Sequence, residues 1–460
     1  MPLNSISPID GRYEKYTKPL VPYFSEFASM KYKVFMECEF LIALSETKGV
    51  RIRKLNTKEK NLIRNVSKSF SLKDAQVISD IELIGYRDIK ATNHDFKAIE
   101  YFIKGKLSKT SLKSILEFVH FGLTTWDATD IAYALMVSDS LEHVLVPSIS
   151  KIIKELDILA KKYKSLPMLA RTHGQPASPT TFGKEIKVFV ARIEKRLEGL
   201  KSIKIEAKLN GATGNYNALY VAYPKVDWKK FSQKFIESFN KGRLHKIKPN
   251  LVTTQIECYD SFIAVFDTLR RINTILVNFN QDMWRYISDG WVGQKPVAGE
   301  VGSSTMPHKI NPWFLENSEG NLMTANALFE FFARKLPISR LQRDLSDSTV
   351  LRSIGTAFGH SLIGYKYLNN QLNRLEVNKE KMLEDLNAHP EVITEAIQTI
   401  LRREGVQMPY EKLKELTRGK AVTLSGIHEF INTLEVSNKI KKELLRITPE
   451  NYTGLASKLV

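Results

Sequence analysis

Residues 262–283 read F-I-A-V-F-D-T-L-R-R-I-N-T-I-L-V-N-F-N-Q-D-M. Apolar side chains stand at Phe262, Phe266, Leu269, Ile272, Leu276, Phe279 and Met283, three or four residues apart, so they share one stripe of a helix with a 3.6-residue turn. The same spacing recurs outward along the chain. From Asp130 a long pattern carries Leu141, Val144, Leu145, Ile149, Ile152, Ile153, Leu156 and Leu159, and the next carries Phe182, Ile186, Phe189, Ile193, Leu197 and Leu200. Leu322, Phe329 and Phe332 mark another helix, and Val350, Ile354, Phe358, Tyr365 and Leu372 one more. Helices of about 20–30 residues extend roughly 30–45 Å, too far for one small domain to cover. Their apolar faces are therefore expected to pack on one another and on other subunits.

Towards the N-terminus, an opening coil containing Gly11, Arg12 and Tyr13 gives way near Ser25 to a helical pattern with Phe27, Met30, Tyr32 and Phe35. Towards the C-terminus the helical patterns shorten, separated by Pro390, Pro409, Gly419 and Pro449. No strand-rich block, internal repeat or low-complexity tract interrupts them. The pattern predicts an all-α chain: a helical N-terminal domain over 1–110, a central long-helix bundle over 111–370 and a helical cap over 371–460.

With 460 residues, 43% apolar and 26% charged, the composition is that of a folded globular protein and excludes wholesale disorder. The cysteines are Cys38 and Cys258, with no C-x-x-C pair, so neither a disulfide framework nor a thiolate zinc site is supported. The N-terminus lacks a basic region followed by an apolar core, and no run approaches bilayer length, so a cytoplasmic protein is expected. The net charge of +18 would suit a nucleic-acid binder. Yet the lysines are dispersed along helical patterns, and the densest group, Lys241 to Lys248, has no interleaved aromatics. A basic field also draws in small polyanionic substrates, so no nucleic-acid partner and no membrane partner is expected.

Chemistry concentrates in the loop Gly299–Pro312, G-E-V-G-S-S-T-M-P-H-K-I-N-P. Gly299 and Gly302 free the backbone while Pro307 and Pro312 stiffen it, and Ser303, Ser304, His308, Lys309 and Asn311 supply hydroxyls, a base, a cation and an amide. That is the inventory of an active-site lid, although a mobile surface loop before a helix would also use glycine, serine and proline. Two further histidines stand out. His94 lies in Thr92-Asn93-His94-Asp95, ahead of an apolar-periodic segment, where capping explains Asn93 or Asp95 but gives His94 no task. His173 lies in Arg171-Thr172-His173-Gly174-Gln175-Pro176 between two long helices, either as a functional group on a rigid support or as a satisfied loop histidine. Histidine spacing fits no zinc motif, and no phosphate-binding glycine loop or dinucleotide fingerprint occurs, so neither metal nor cofactor is expected.

The loop matches throughout the S-S-x-M-P-x-K-x-N signature of the fumarase/aspartase superfamily, which it resembles, and the likeness extends over nearly the whole chain. The superfamily eliminates across a C–N or C–O bond next to a carboxylate and releases fumarate. His308 and the flanking segments are most similar to the branch acting on succinylated purine nucleotides. The resemblance implies as substrates adenylosuccinate, giving AMP, and the succinylated carboxamide imidazole ribotide (SAICAR), giving the free carboxamide (AICAR). It also implies a homotetramer whose sites each draw on three subunits.

The T-H-x-Q-P match makes His173 the general acid, and the first serine of the signature makes Ser303 the base. Residue chemistry alone leaves Ser303 and Ser304 open. Taking a proton beside a carboxylate leaves an enediolate, whose charge Lys309, Asn311 and backbone N–H groups are suited to meet. A serine hydroxyl becomes a base when a neighbouring cation such as Lys309 stabilises its alkoxide. The resemblance puts Asn93, His94 and Asp95 at the site, with His94 among the catalytic groups. It assigns the nucleotide to Arg12, Tyr13, Arg343, Ser348 and Arg352. The succinyl part falls to Thr124, Thr125, Gln255, Lys309 and Asn311, with Ser304 and Met306 lining the signature loop. Each has a plainer use: Arg343 beside Asp344, and Arg352, as surface ion pairs, and Thr124–Thr125 as a helix cap. At Thr125-Trp126-Asp127 the chain departs from the Ser-Glu-Asp common among similar sequences. A sibling cleaving argininosuccinate, or a non-catalytic binding protein on the same fold, is the alternative.

Overall fold

The computed structural model describes residues 2–295, 306, 309–417 and 422–460. Long helices dominate: Glu26–Glu46, Thr125–Ser140, Val146–Lys162, Phe182–Ser202, Asp260–Ser288, Trp313–Lys335 and Ile354–Leu372. The strands form short two-stranded sheets, so the chain is all-α as its periodicity predicts. No helix among the described residues is long and apolar enough to cross a membrane.

Phe262, Phe266, Leu269, Ile272, Leu276, Phe279 and Met283 are all buried, as are Phe182, Ile186, Phe189, Ile193, Leu197 and Leu200. Some boundaries differ from the expected ones: short helical turns already run from Glu14 to Phe24, and the pattern from Val350 to Leu372 is split between Ser346–Leu351 and Ile354–Leu372. The helix predicted from Asp130 starts at Thr125 and passes through a π turn, Leu141–Leu145, into Val146–Lys162. Residues 126–138 are buried on every side, so no polar face marks that helix and the amphipathic stripe becomes visible only later.

The chain divides into two compact units, each discontinuous in sequence. The first comprises residues 1–149, 196–274 and 320–366. Within it Phe266 meets Phe329 and Phe358 at ring-centroid distances of 5.6 and 6.3 Å. A second cluster, including Val34, Leu41, Ile63, Ile78 and Ile99, fills the space among the N-terminal helices. The second unit comprises residues 150–195, 275–319 and 367–460, with Phe189 against Phe279 at 5.3 Å.

Within the second unit, β1 (Pro167–Thr172) and β2 (Gln175–Thr181) form an antiparallel hairpin between the helices Val146–Lys162 and Phe182–Ser202. Gly183 makes the base of this hairpin possible: a Cβ there would lie 2.3 Å from the Ala160 carbonyl oxygen and 2.5 Å from Lys164 Cα. The Gly183 N–H donates to the Tyr163 carbonyl at 3.0 Å, so the helices meet backbone to backbone.

Candidate active site

His173 occupies the tip of the hairpin. Thr172 pairs with Gln175, leaving His173 and Gly174 as a two-residue loop with φ of +53° and +77°. Positive φ at both positions is the requirement of a type I′ turn, whose twist matches that of the strands it joins. Glycine meets it without strain, and histidine is among the few side chains that visit this region. The imidazole is exposed. Arg171 Nη1 donates to the Gly174 carbonyl at 3.3 Å across the turn.

In the same unit the signature segment is described at Met306 and from Lys309 onward; Ser303, Ser304 and His308 lie outside the described residues. The Lys309 N–H donates to the Met306 carbonyl at 3.1 Å, and Gln294 Nε2 donates to the Ile310 carbonyl at 3.0 Å. Lys309 is exposed and Asn311 half-buried, just before the helix Trp313–Lys335. A cavity of about 670 Å³ beside Ile310 is lined by Gln294, Val377, Lys379 and neighbours.

The remaining candidates belong to the first unit. His94, rather than Asn93 or Asp95, caps the helix Asp95–Leu107: its Nδ1 accepts from the Lys97 N–H at 3.3 Å. Asn93 supplies the turn before it, with φ of +50°. The imidazole that lacked a task in the sequence thus has a structural one, and in the neutral ring Nε2–H remains as a donor. Asp95 accepts from Lys33 Nζ at 3.0 Å. Burial pushes the Asp95 carboxyl up, but the Lys33 ammonium and the hydrogen bonds outweigh burial and hold it below the ordinary value.

Thr124 is the N-cap of the helix Thr125–Ser140, and its N–H donates to Asp127 Oδ2 at 2.9 Å. Asp127 is fully buried and ion-paired to Lys208 Nζ at 2.8 Å. Lys208, also fully buried, donates to the carbonyls of Gly211 and Gln255 at 2.8 and 2.9 Å. Every polar atom of this pair is used, and it ties the Thr124 cap to the Gln255 loop. Sequence inspection missed Lys208; the available signal was a lone lysine inside Ile205-Glu206-Ala207-Lys208-Leu209.

Arg343 joins this group. Its Nη1 donates to Gln255 Oε1 at 3.3 Å, its Nη2 lies 3.8 Å from Asp347 Oδ1, and its guanidinium sits over the Trp126 ring, 4.3 Å from the centroid. The Ser348 N–H donates to Asp347 Oδ1 at 2.8 Å. Asp347 also accepts from the Tyr259 hydroxyl at 3.1 Å; burial pushes its carboxyl up, and the Arg343 charge pulls against that. Arg352 pairs with Glu26 at 2.9 Å and, with Asp10 and Phe24, lines a cavity of about 190 Å³ at the opening coil. Arg12 in that coil is exposed and Tyr13 half-buried. Burial raises the Glu82 carboxyl, the Asp95 charge raises it further, and Lys33 and Arg352 oppose them. The segments around 95 and 352 therefore share one electrostatic neighbourhood.

Comparison with known proteins shows what the chain is similar to. A profile described as "Lyase" matches residues 11–327, and one described as "Adenylosuccinate lyase C-terminal" matches residues 339–453. The fold is similar to that of a fumarate lyase from Mesorhizobium sp. BNC1, with a TM-score of 0.72 at 18% identity over 96% of each chain. Fold and sequence together define a C–N lyase. Adenylosuccinate lyase of Dictyostelium discoideum is 48% identical over 98% of this chain and 97% of its own. That of Legionella pneumophila (strain Corby) is 45% identical over 100% and 98%. The chain belongs to the adenylosuccinate lyase family.

Proposed function

We propose that this lyase of purine biosynthesis removes fumarate from adenylosuccinate and from SAICAR by general acid–base β-elimination. Ser303 takes the Cβ proton, and the bond to the purine or carboxamide nitrogen breaks. His173 then protonates the departing nitrogen. Lys309 and Asn311 meet the enediolate charge, and Lys309 also stabilises the Ser303 alkoxide. His94 lends its Nε2–H to the bound substrate, beside Asn93 and Asp95. Thr124, Thr125 and Gln255 hold the succinyl carboxylates, and Ser304 and Met306 line the closing loop. Arg12, Tyr13, Arg343, Ser348 and Arg352 hold the nucleotide, where guanidinium forks suit phosphate oxygens.

The observation that carries this assignment is the exposed imidazole of His173 at the tip of a two-residue turn, a position from which it reaches outward while its backbone stays fixed. No metal or cofactor enters the scheme. The working form is a cytoplasmic homotetramer with composite sites, and the divisions 1–110, 111–370 and 371–460 are its functional segments. His173→Ala and Ser303→Ala are each expected to lower kcat on adenylosuccinate by at least about a hundredfold while leaving fold and assembly intact. Near wild-type kcat in either variant would remove that residue from its role.

A further inference from the structure

The environment of Arg343 is unusual for a cation assigned to a phosphate. Among hydrogen-bonding groups it meets Gln255 Oε1 at a long 3.3 Å, while Asp347 at 3.8 Å lies beyond hydrogen-bond range. Its Nε is buried with no hydrogen-bond partner among the described residues. The closest definition of its orientation is instead Trp126, whose ring lies beneath the guanidinium at 4.3 Å and is only 3% exposed. The indole is held by the buried start of the helix Thr125–Ser140, and its own Nε1 has no hydrogen-bond partner among the described residues. An aromatic face attracts a guanidinium through the ring quadrupole and accepts none of its in-plane hydrogen bonds. A carboxylate in the same place would neutralise the cation and occupy the fork.

We propose that Trp126 is a positioning residue for the nucleotide phosphate: by stacking under Arg343 it fixes the guanidinium plane and leaves the N–H fork to a phosphoryl group. This rests on the assignment of Arg343 to the phosphate made above. Trp126 touches no reacting atom, and it acts on the ground state and the transition state alike, so its loss raises KM and spares kcat.

The test compares adenylosuccinate with succinyladenosine, which differs only in lacking the phosphate. The ratio of their kcat/KM values reports what the phosphate contributes, and a general loss of folded enzyme cancels from it. Trp126→Met, which keeps bulk but removes the aromatic face, is expected to lower that ratio about tenfold, with kcat on adenylosuccinate within about twofold of wild type. Trp126→Phe, which keeps a smaller face, is expected to lower it only about threefold, and it carries the test if the methionine variant does not fold. An unchanged ratio, or a loss confined to kcat, would overturn the proposal. Arg343→Ala, assayed in parallel, separates the two layers. If it leaves the ratio unchanged, the phosphate assignment itself fails. If it lowers the ratio and the Trp126 variants do not, only the role of Trp126 fails.

Discussion

A single buried ammonium, that of Lys208, ties together two segments that carry candidate site residues, Thr124 and Gln255. It and Asp127 are both fully buried, and each is surrounded by backbone partners: Gly211 and Gln255 carbonyls on one side, the N–H groups of Thr124, Asn210 and Gly211 on the other. Removing one member leaves the other charged in a dry interior, which typically costs about 3–5 kcal/mol. Lys208→Met is therefore expected to lower the free energy of unfolding by about that amount in urea titrations. A loss below about 1 kcal/mol would show that Asp127 is rescued by protonation or solvent. A second residue-scale expectation concerns His120, which lies 2.7 Å from the buried Glu37 carboxylate. Burial lowers its imidazole, but the Glu37 charge and hydrogen bond outweigh burial and set it above the ordinary value of about 6.5. The folded state thus holds this proton more tightly than the unfolded one. The stabilisation is complete below about pH 6.5 and is lost as pH rises through the raised folded value. Melting temperature measured across that window should fall in the wild type and fall less in Glu37→Gln; parallel curves would mean the pair does not drive the dependence.

At the scale of elements, the hairpin carrying His173 depends on the contact at its base. Because a methyl group at Gly183 would strike backbone atoms, which cannot rotate away, Gly183→Ala is expected to cost about 3 kcal/mol. It should also reduce kcat on adenylosuccinate, since the turn hangs from those helix ends. A variant with normal stability and normal turnover would show that the helices separate without consequence. The helices themselves were legible from sequence because their faces alternate at 3.6 residues: every stripe position named in residues 262–283 is buried. The hairpin was not. Pro176 and Pro179 argue against a strand, and neither strand alternates in polarity; only His173-Gly174, a pair tolerant of positive φ, hinted at the turn. Candidate site residues are nominated by motif order, which a sequence keeps whatever its backbone does. The partners that hold them, Lys208, Asp347 and Lys33, come from distant segments, and no local spacing betrays such pairings.

Over the whole molecule, the candidate residues divide by unit. Arg12, His94, Thr124, Gln255, Arg343 and Arg352 belong to the first, and His173, Met306, Lys309 and Asn311 to the second. If the working site takes His173 and Ser303 from different chains of a tetramer, mixing inactive His173→Ala with inactive Ser303→Ala should restore partial activity once subunits exchange. Mass spectrometry establishes that mixed tetramers have formed; no recovery in their presence would assign both groups to one chain. The interleaved order of the units bears also on how the polypeptide is made. The first unit needs residues 320–366, so it cannot close while its earlier segments are leaving the ribosome. Phe266 waits for Phe358, roughly ninety residues later, which at about 5–20 residues per second is an interval of roughly 5–20 s. Throughout it, Phe266 lacks the Phe358 ring it packs on, although Phe279 further along the same stripe already has Phe189. Nascent chains of this protein should therefore be heavy clients of chaperones that shield long hydrophobic helices during translation.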